Sequence, residues 1–208
     1  MDGMIKNIVF DMGNVLIYFD RQLFLDRVGV DNPQDRELLL REVYLSLEWA
    51  RMDRGSLTPL QAEKIMCTHL PERLHPYVTK LVSEWSRPIL PIPGMADLVK
   101  ELKEAGYGIY LLSNAAYDQH KYWDSVPGSE YFDGTLISCD VLRVKPEREI
   151  YACLCEKFSL KPEECVFIDD AAANAEGAYR FGITPIVFHN DAQELRRKLR
   201  TLGVSCKK

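Results

Sequence analysis

Residues 7–16 read NIVFDMGNVL, and this stretch decides the fold. Asn7–Phe10 is a short and almost wholly apolar run, as expected of a strand buried on both faces of a parallel sheet. Asp11 follows it directly, and ligands of open α/β sheets bind beyond the carboxyl ends of the strands. The stretch therefore predicts a first core strand that ends in a functional carboxylate.

Four further apolar runs predict the other strands of the same sheet, at residues 108–112, 135–138, 165–168 and 185–188. Apolar residues recur at helical spacing between them, as at Met95, Leu98, Val99 and Leu102. Strands that alternate with helices predict βαβ units with right-handed crossovers. The predicted fold class is therefore α/β with a parallel sheet.

The segment between the first two predicted strands departs from this alternation, because about ninety residues follow Asp11 before the next strand. Helical spacing predicts helices over residues 37–52 and 74–85, and residues 58–61 combine a capping box with a proline at the first helical position. The proline-rich run at residues 88–94 predicts a linker. We therefore expect a helical domain at residues 17–88, inserted into a core formed by residues 1–16 and 89–208.

Composition narrows the class of protein. The chain has 208 residues, 47% of them hydrophobic, which suits a folded core with a small inserted domain. Its net charge of -5 argues against binding to nucleic acid or to an anionic membrane surface. No apolar run reaches the length of a membrane span, the N-terminus lacks a secretory pattern, and the six cysteines form no CxxC pair. We expect a cytoplasmic protein with reduced thiols.

Polar residues follow the predicted strands where these would meet at one edge of the sheet. They are Asp11, Ser113–Asn114 and Asp169–Asp170, with Lys145 in the loop after the third strand. Carboxylates can hold a hard cation, lysine and Ser/Asn groups can bind phosphate oxygens, and Asp11 could attack phosphorus. Each pair alone could equally be a helix cap or a turn, so the prediction depends on the whole set.

Four segments in chain order resemble the motifs of the haloacid dehalogenase-like (HAD) hydrolase superfamily. They are VFDMGNVL at residues 9–16, LLSNA at 111–115, VKPE at 144–147 and FIDDA at 167–171. The resemblance covers the whole chain. It implies a Rossmann-like core with strand order 5-4-1-2-3 and an inserted α-helical cap that closes over the active site.

The resemblance also implies roles for individual residues. It makes Asp11 the nucleophile, with Ser113 and Lys145 as catalytic phosphate-binding residues and Asn114 beside them in the substrate site. The implied ligands of Mg²⁺ are Asp11, the carbonyl of Gly13, Asp170 and, in or near the metal shell, Asp169. Asn174 is expected to orient the acidic loop, and Tyr18 and Asp20 are predicted substrate contacts at the cap hinge.

One position departs from the usual phosphatase pattern. Phosphatases of this superfamily carry a second Asp two residues after the nucleophile, as the acid that protonates the leaving group, and here that position is Gly13. Without it, we expect a preference for good leaving groups, such as glucose 1-phosphate or acetyl phosphate over glucose 6-phosphate. Another side chain or a water could replace the acid. The Asp-x-Gly-Asn-Val pattern also resembles a bacterial subgroup that includes sugar-1-phosphate phosphatases.

The predicted function is a magnesium-dependent phosphatase that hydrolyses a small phosphorylated metabolite, for example a sugar 1-phosphate, through an aspartyl-phosphate. Two alternatives stay open: a metal-free dehalogenase-type hydrolase, and a catalytically weak phosphometabolite-binding protein, because Gly13 replaces the acid. The Asp169–Asp170 pair favours magnesium over the first. A phosphomutase is a weaker option. The chain is expected to be a monomer or a small homo-oligomer.

Overall fold

The computed structural model describes residues 4–206 and contains one parallel five-stranded sheet in the order β3-β2-β1-β4-β5. Read from the other edge, this is the predicted order 5-4-1-2-3, so the Rossmann-like α/β fold is confirmed. Each strand lies within one residue of its predicted bounds. The strands are β1 (Asn7–Phe10), β2 (Gly108–Ser113), β3 (Gly134–Ile137), β4 (Cys165–Asp169) and β5 (Thr184–Val187).

The α-helices of the described residues fall into two sets. Five lie between β1 and β2: α1 (Arg21–Arg27), α2 (Pro33–Leu39), α3 (Leu47–Arg54), α4 (Pro59–Thr68) and α5 (His75–Ser83). Six accompany the sheet: α6 (Met95–Glu104), α7 (Gln119–Tyr122), α8 (Ser138–Val141), α9 (Arg148–Phe158), α10 (Ala172–Phe181) and α11 (Ala192–Thr201). None of these helices is long and apolar enough to cross a membrane.

The central strand β1 is buried on both faces, as its apolar sequence predicts. Ile8 and Phe10 pack into one apolar cluster with residues of α6 and α11. Val9 points the other way, into a cluster with residues of α9 and α10. Because successive side chains of a strand alternate between faces, two helical layers cover the sheet and leave its carboxyl edge for a site.

The segment that contains α1 to α5 has an apolar cluster of its own, which includes Phe24, Leu39, Met66 and Leu81. This cluster is consistent with a separate cap, although the domain bounds at 17–88 stay a prediction. The ends of the predicted core, residues 1–3 and 207–208, lie outside the described residues.

The prediction of one helix over residues 37–52 is wrong. Helix α2 ends at Leu39, a π-helical turn covers Leu40–Tyr44, and α3 begins only at Leu47. Ser46 is the reason, because its backbone is extended and its hydroxyl accepts a hydrogen bond from the Trp49 N–H at 3.1 Å. Serine often favours such a cap over a helix interior, so the break starts a new helix whose far end reaches the core.

Candidate active site

A cavity of about 310 Å³ lies at the carboxyl edge of the sheet, between the core and the inserted helices. Core residues that line it include Asp11, Gly13, Ser113, Asn114 and Asp170. Residues of the segment that carries the inserted helices complete the wall, among them Phe19, Arg21, Trp49, Asp53 and Trp85. The structure thus brings five of the predicted site residues to one cavity and closes it with an aromatic surface.

Lys145 joins two of the predicted acidic residues beneath this cavity. Its Nζ lies 2.8 Å from Asp11 Oδ1 and 2.7 Å from Asp169 Oδ2, and all three side chains are buried. Burial alone would lower the pKa of Lys145, but attraction to Asp11 and Asp169 outweighs it and raises that pKa. Lys145 is therefore a fixed positive charge between two strand ends.

Asp11 is positioned by both its backbone and its side chain. Its N–H donates to the Ile168 carbonyl at 2.8 Å, which continues the ladder between β1 and β4, and Oδ1 accepts the Met12 N–H at 2.7 Å. Burial raises the pKa of Asp11 to about 7; Lys145 opposes that rise and Asp169 adds to it. The positive charge of Lys145 thus holds the Asp11 carboxylate at the cavity, and a bound cation would balance the remaining negative charge.

The acidic loop after β4 holds its two carboxylates in different ways. Asp169 is fully buried and accepts hydrogen bonds from Asn174 Nδ2 at 3.1 Å and from the Ala171 N–H at 2.8 Å. Asn174 therefore orients this loop, as the sequence predicts. Asp170 is exposed to the cavity and accepts a hydrogen bond from Asn14 Nδ2 at 3.1 Å. Burial raises the pKa of Asp170, against the hydrogen bond from Asn14.

The donors present fit a hard divalent cation. One carboxylate oxygen each from Asp11, Asp169 and Asp170 lie within 4.8 Å of one another. Mg²⁺ prefers oxygen ligands and keeps some of its waters, so two or three carboxylates suffice as its protein ligands. The predicted metal residues are thus close enough to share one ion, and Gly13 lines the same cavity.

The end of β2 supplies groups for an anion. Ser113 is buried, and its hydroxyl donates to Gln119 Oε1 at 2.8 Å. Gln119 is also buried, and its Nε2 has no hydrogen-bond partner among the described residues, although the residue lines the cavity. A buried donor without an acceptor is costly, so an anionic ligand would satisfy it. This orphan atom is a second sign that a phosphate fits here.

Asn114 lines the cavity and also contacts the loop of Lys145, while its predicted role in substrate binding stays a prediction. Its side chain donates to the Lys145 carbonyl at 3.0 Å and accepts the Lys145 N–H at 2.8 Å. The amide thus ties the end of β2 to the loop of Lys145, with both of its polar ends engaged. Asn114 lines the cavity, but its observed contacts position Lys145.

Lys145 and Asp169 lie beneath the cavity, whereas the structure does not bring the other two predicted residues, Tyr18 and Asp20, to it. Neither is among its lining residues, Tyr18 is exposed, and the Asp20 carboxylate caps α1 by accepting the N–H groups of Gln22 and Leu23. Their neighbours Phe19 and Arg21 line the cavity instead. The geometry gives no support to a substrate-binding role for Tyr18 or Asp20, because their side chains point elsewhere.

Sequence reasoning missed three residues at the site: Asn14, Gln119 and Asp53. Asn14 carried a usable signal, since asparagine tolerates the left-handed backbone that it adopts here, with φ of 54°. Gln119 follows the second motif closely but matches no pattern. Asp53 lies in α3, far from every motif, and nothing local marks it.

Comparison with known proteins agrees with this geometry. The family described as haloacid dehalogenase-like hydrolase matches residues 5–182. D-ribitol-5-phosphate phosphatase of Bacteroides thetaiotaomicron is 25% identical over 179 residues, which cover 82% of this chain and 85% of that protein. (S)-2-haloacid dehalogenase 4A of Burkholderia cepacia is 26% identical over 171 residues, covering 77% and 72%.

Other matches are partial or structural. Bifunctional epoxide hydrolase 2 of Mus musculus is 34% identical over 107 residues, 49% of this chain but only 19% of the relative, so the chain spans a small part of that protein. A solved HAD family enzyme of Bacteroides thetaiotaomicron, bt-2542 in complex with magnesium and inorganic phosphate, has a TM-score of 0.66 and 24% identity, covering 92% of this chain and 98% of that one. This chain belongs to the haloacid dehalogenase-like hydrolase family.

Proposed function

We propose that this hydrolase is a magnesium-dependent phosphatase that acts on a small phosphorylated metabolite through an aspartyl-phosphate on Asp11. The observation that carries the proposal is the Asp11 carboxylate at the cavity, 2.8 Å from Lys145 Nζ and grouped with Asp169 and Asp170. A nucleophile among acidic neighbours needs positive charge both to stay ionised and to approach a phosphate dianion.

Asp11, Asp170 and the Gly13 carbonyl would hold the ion, with Asp169 in or near its shell. When bound, Mg²⁺ supplies charge that screens the carboxylates from the phosphate and polarises a phosphate oxygen. One oxygen from each of the three carboxylates lies within 4.8 Å of the other two, which supports this assignment.

The side chains of this protein do the remaining work. In the proposed reaction, an Asp11 oxygen forms a bond to phosphorus while the ester oxygen leaves, and water later releases phosphate from Asp11. Ser113 would turn its hydroxyl from Gln119 Oε1 to a phosphate oxygen, and Gln119 Nε2 would supply a second donor. Lys145 keeps Asp11 ionised and oriented. Asn114 positions Lys145 through its backbone.

The relatives support a phosphate ester as substrate. D-ribitol-5-phosphate phosphatase acts by name on the phosphate ester of a sugar alcohol, and the bt-2542 enzyme was solved with magnesium and inorganic phosphate. A cavity of about 310 Å³ suits a small molecule rather than a macromolecule. A sugar phosphate in the cytoplasm, acted on by a monomer or small homo-oligomer, completes the proposal.

The test is phosphate release from a panel of sugar phosphates and acyl phosphates, with magnesium and with EDTA. We expect release only with magnesium, and a loss on the order of 10⁵-fold in kcat for Asp11→Asn, as for other nucleophiles that act as one unit with their neighbours. Asp97→Asn, at an exposed position in the first turn of α6, is the matched control.

The two alternatives give other results in the same assay. Halide release from 2-haloacids in EDTA would identify a metal-free dehalogenase, for which the relative from Burkholderia cepacia stands as the comparison. Tight binding of phosphate esters without turnover would identify a binding protein. Either outcome contradicts the phosphatase.

A further inference from the structure

Asp53 brings a carboxyl group to the active site from the inserted helices. It lies in the last turn of α3 and lines the same cavity as Asp11 and Ser113. Among residues 4–206, no hydrogen bond or ion pair engages its side chain. Its charge and that of Asp11 act on each other.

Three contacts around Asp53 fix its backbone on the core. Its own carbonyl accepts a hydrogen bond from the Ser138 hydroxyl. Arg54 pairs with Glu147, with Nη1 3.2 Å from Oε2. Gly55 has φ of 81° and packs so closely that an added Cβ would lie 2.9 Å from the Cys139 Cα. The position of Asp53 is therefore set by consecutive residues that all touch the core.

The surroundings of Asp53 keep a proton on it. Burial and the charge of Asp11 raise the pKa of Asp53 to about 8, although Lys145 and Arg21 oppose the rise. The other titratable groups that face it, Tyr122 of α7 and Cys139 of α8, have pKa values raised by their own burial and carry no charge at neutral pH.

The other carboxyl groups that line the cavity are already engaged. Asp11 binds Lys145, Asp170 accepts from Asn14, and Asp118 pairs with Lys121. A group that is charged and paired with a cation is a poor proton donor. Among the described residues that line the cavity, Asp53 is the carboxyl group without a partner.

We propose that Asp53 is the general acid of the reaction, so that the helical segment supplies the proton that the position of Gly13 does not. This inference rests on the proposed phosphatase function. It answers the question that Gly13 raises, and it removes the reason to expect that only good leaving groups react. It also makes the reaction depend on the contact between α3 and the core.

The proton balance has two steps. As Asp11 Oδ bonds to phosphorus, the bond from phosphorus to the ester oxygen breaks, and that oxygen keeps the electron pair and takes the Asp53 proton. Asp53 is then a carboxylate. It removes a proton from the water that attacks phosphorus, the bond from phosphorus to Asp11 breaks, and inorganic phosphate leaves with Asp53 protonated again.

The experiment compares two substrates of similar shape, phenyl phosphate and p-nitrophenyl phosphate, with magnesium present. Only the first needs a proton on its leaving oxygen at neutral pH. We expect the wild type to hydrolyse both, with a shallow dependence of kcat/KM on the leaving group. Asp53→Asn should raise the ratio of p-nitrophenyl to phenyl phosphate activity at least about tenfold, and it should lose the fall in activity at high pH. Asp118→Asn, at the paired acid of the same cavity, should leave the ratio within about twofold.

The outcomes separate the two proposals. Equal loss on both substrates, or no change in the ratio, overturns the role of Asp53 and leaves the phosphatase standing. Absence of turnover by the wild type on both substrates and on the sugar phosphates overturns the phosphatase itself, and Asp11→Asn marks that baseline. If Asp53→Asn does not fold, the dependence of the wild-type kcat/KM on the leaving group is the test. A steep dependence overturns the role of Asp53, because it excludes an internal acid, and a shallow one supports it.

Discussion

The carboxyl groups at the sheet edge and the carboxyl group of Asp53 differ in what surrounds them. At the sheet edge, Asp11 and Asp169 share Lys145 Nζ at 2.8 and 2.7 Å. Asp53 lines the same cavity as several aromatic and apolar residues of the inserted segment, and within the described part of the chain its carboxyl has no partner. In the proposed reaction the same residue type attacks in one place and donates a proton in the other, since environment sets the charge.

The largest effect is expected from removing Lys145, which pairs with both carboxylates at the sheet edge. Lys145→Met leaves two buried carboxylates without their cation, so we expect a loss of about 3–5 kcal/mol in the free energy of unfolding. The measurement is urea unfolding in EDTA. Added magnesium should recover more stability in this variant than in the wild type, because the ion replaces the missing charge.

The matched control is Lys6→Met. Lys6 pairs with Glu164 at 2.8 Å on the surface, where its side chain is 53% exposed. Such a pair contributes less than about 1 kcal/mol. Equal losses for the two variants would mean that Lys145 is an ordinary surface charge, and the comparison would fail.

The contact that places Asp53 can be broken without touching the site. Gly55→Ala adds a Cβ that meets the Cys139 backbone at a positive φ of 81°. We expect a loss of about 2–4 kcal/mol in unfolding free energy and a fall in phosphatase activity, because α3 must move off the core.

Gly29→Ala is the control for Gly55→Ala, because it introduces the same backbone strain without a steric clash. Gly29 has φ of 78°, and nothing lies within 4 Å of the added Cβ. This variant should lose only about 1 kcal/mol and keep its activity. If both variants behave alike, the contact between α3 and Cys139 has no special part in placing Asp53.

The smallest effect is the pH dependence that Asp53 adds to stability. The folded pKa of about 8 lies above the unfolded value of 3.8. Between these values the folded state holds a proton that the unfolded state has lost, so stability falls as pH rises to about 8 and then levels off. Asp53→Asn removes this dependence and should gain at least about 1 kcal/mol over the wild type between pH 5 and pH 8.

Urea midpoints at the two pH values give this difference directly. Asp118→Asn, whose acid is paired with Lys121, serves as the control and should show no such gain. A wild type and an Asp53→Asn variant that lose stability in parallel would show that Asp53 is ionised in the folded protein.

Local sequence determined the sheet and most of its acidic edge. Strands β1, β2 and β4 are short apolar runs, and each ends in or is followed directly by a predicted site residue. The apolar run and the polar residue therefore lie within a few positions of each other, as in residues 7–11 and 165–170. The parallel pairing and the grouping of Asp11, Asp169 and Asp170 followed from these runs, whereas the strand order was implied by the resemblance of the four motifs to a known family. Helix ends were less accessible, since Ser46 interrupts a periodic pattern through a single hydroxyl contact.

Tertiary structure alone decided which residues of the inserted helices face the site. Asp53 meets the core through Ser138, 85 residues away along the chain, and no periodicity in α3 encodes that contact. Tertiary structure also brings Lys145 to its two partners, which lie at the ends of different strands. It likewise leaves the Gln119 Nε2 donor buried without an acceptor among the described residues. Sequence determines a strand and the residue at its end because both are local, whereas the charge and proton of a side chain depend on what packing brings beside it.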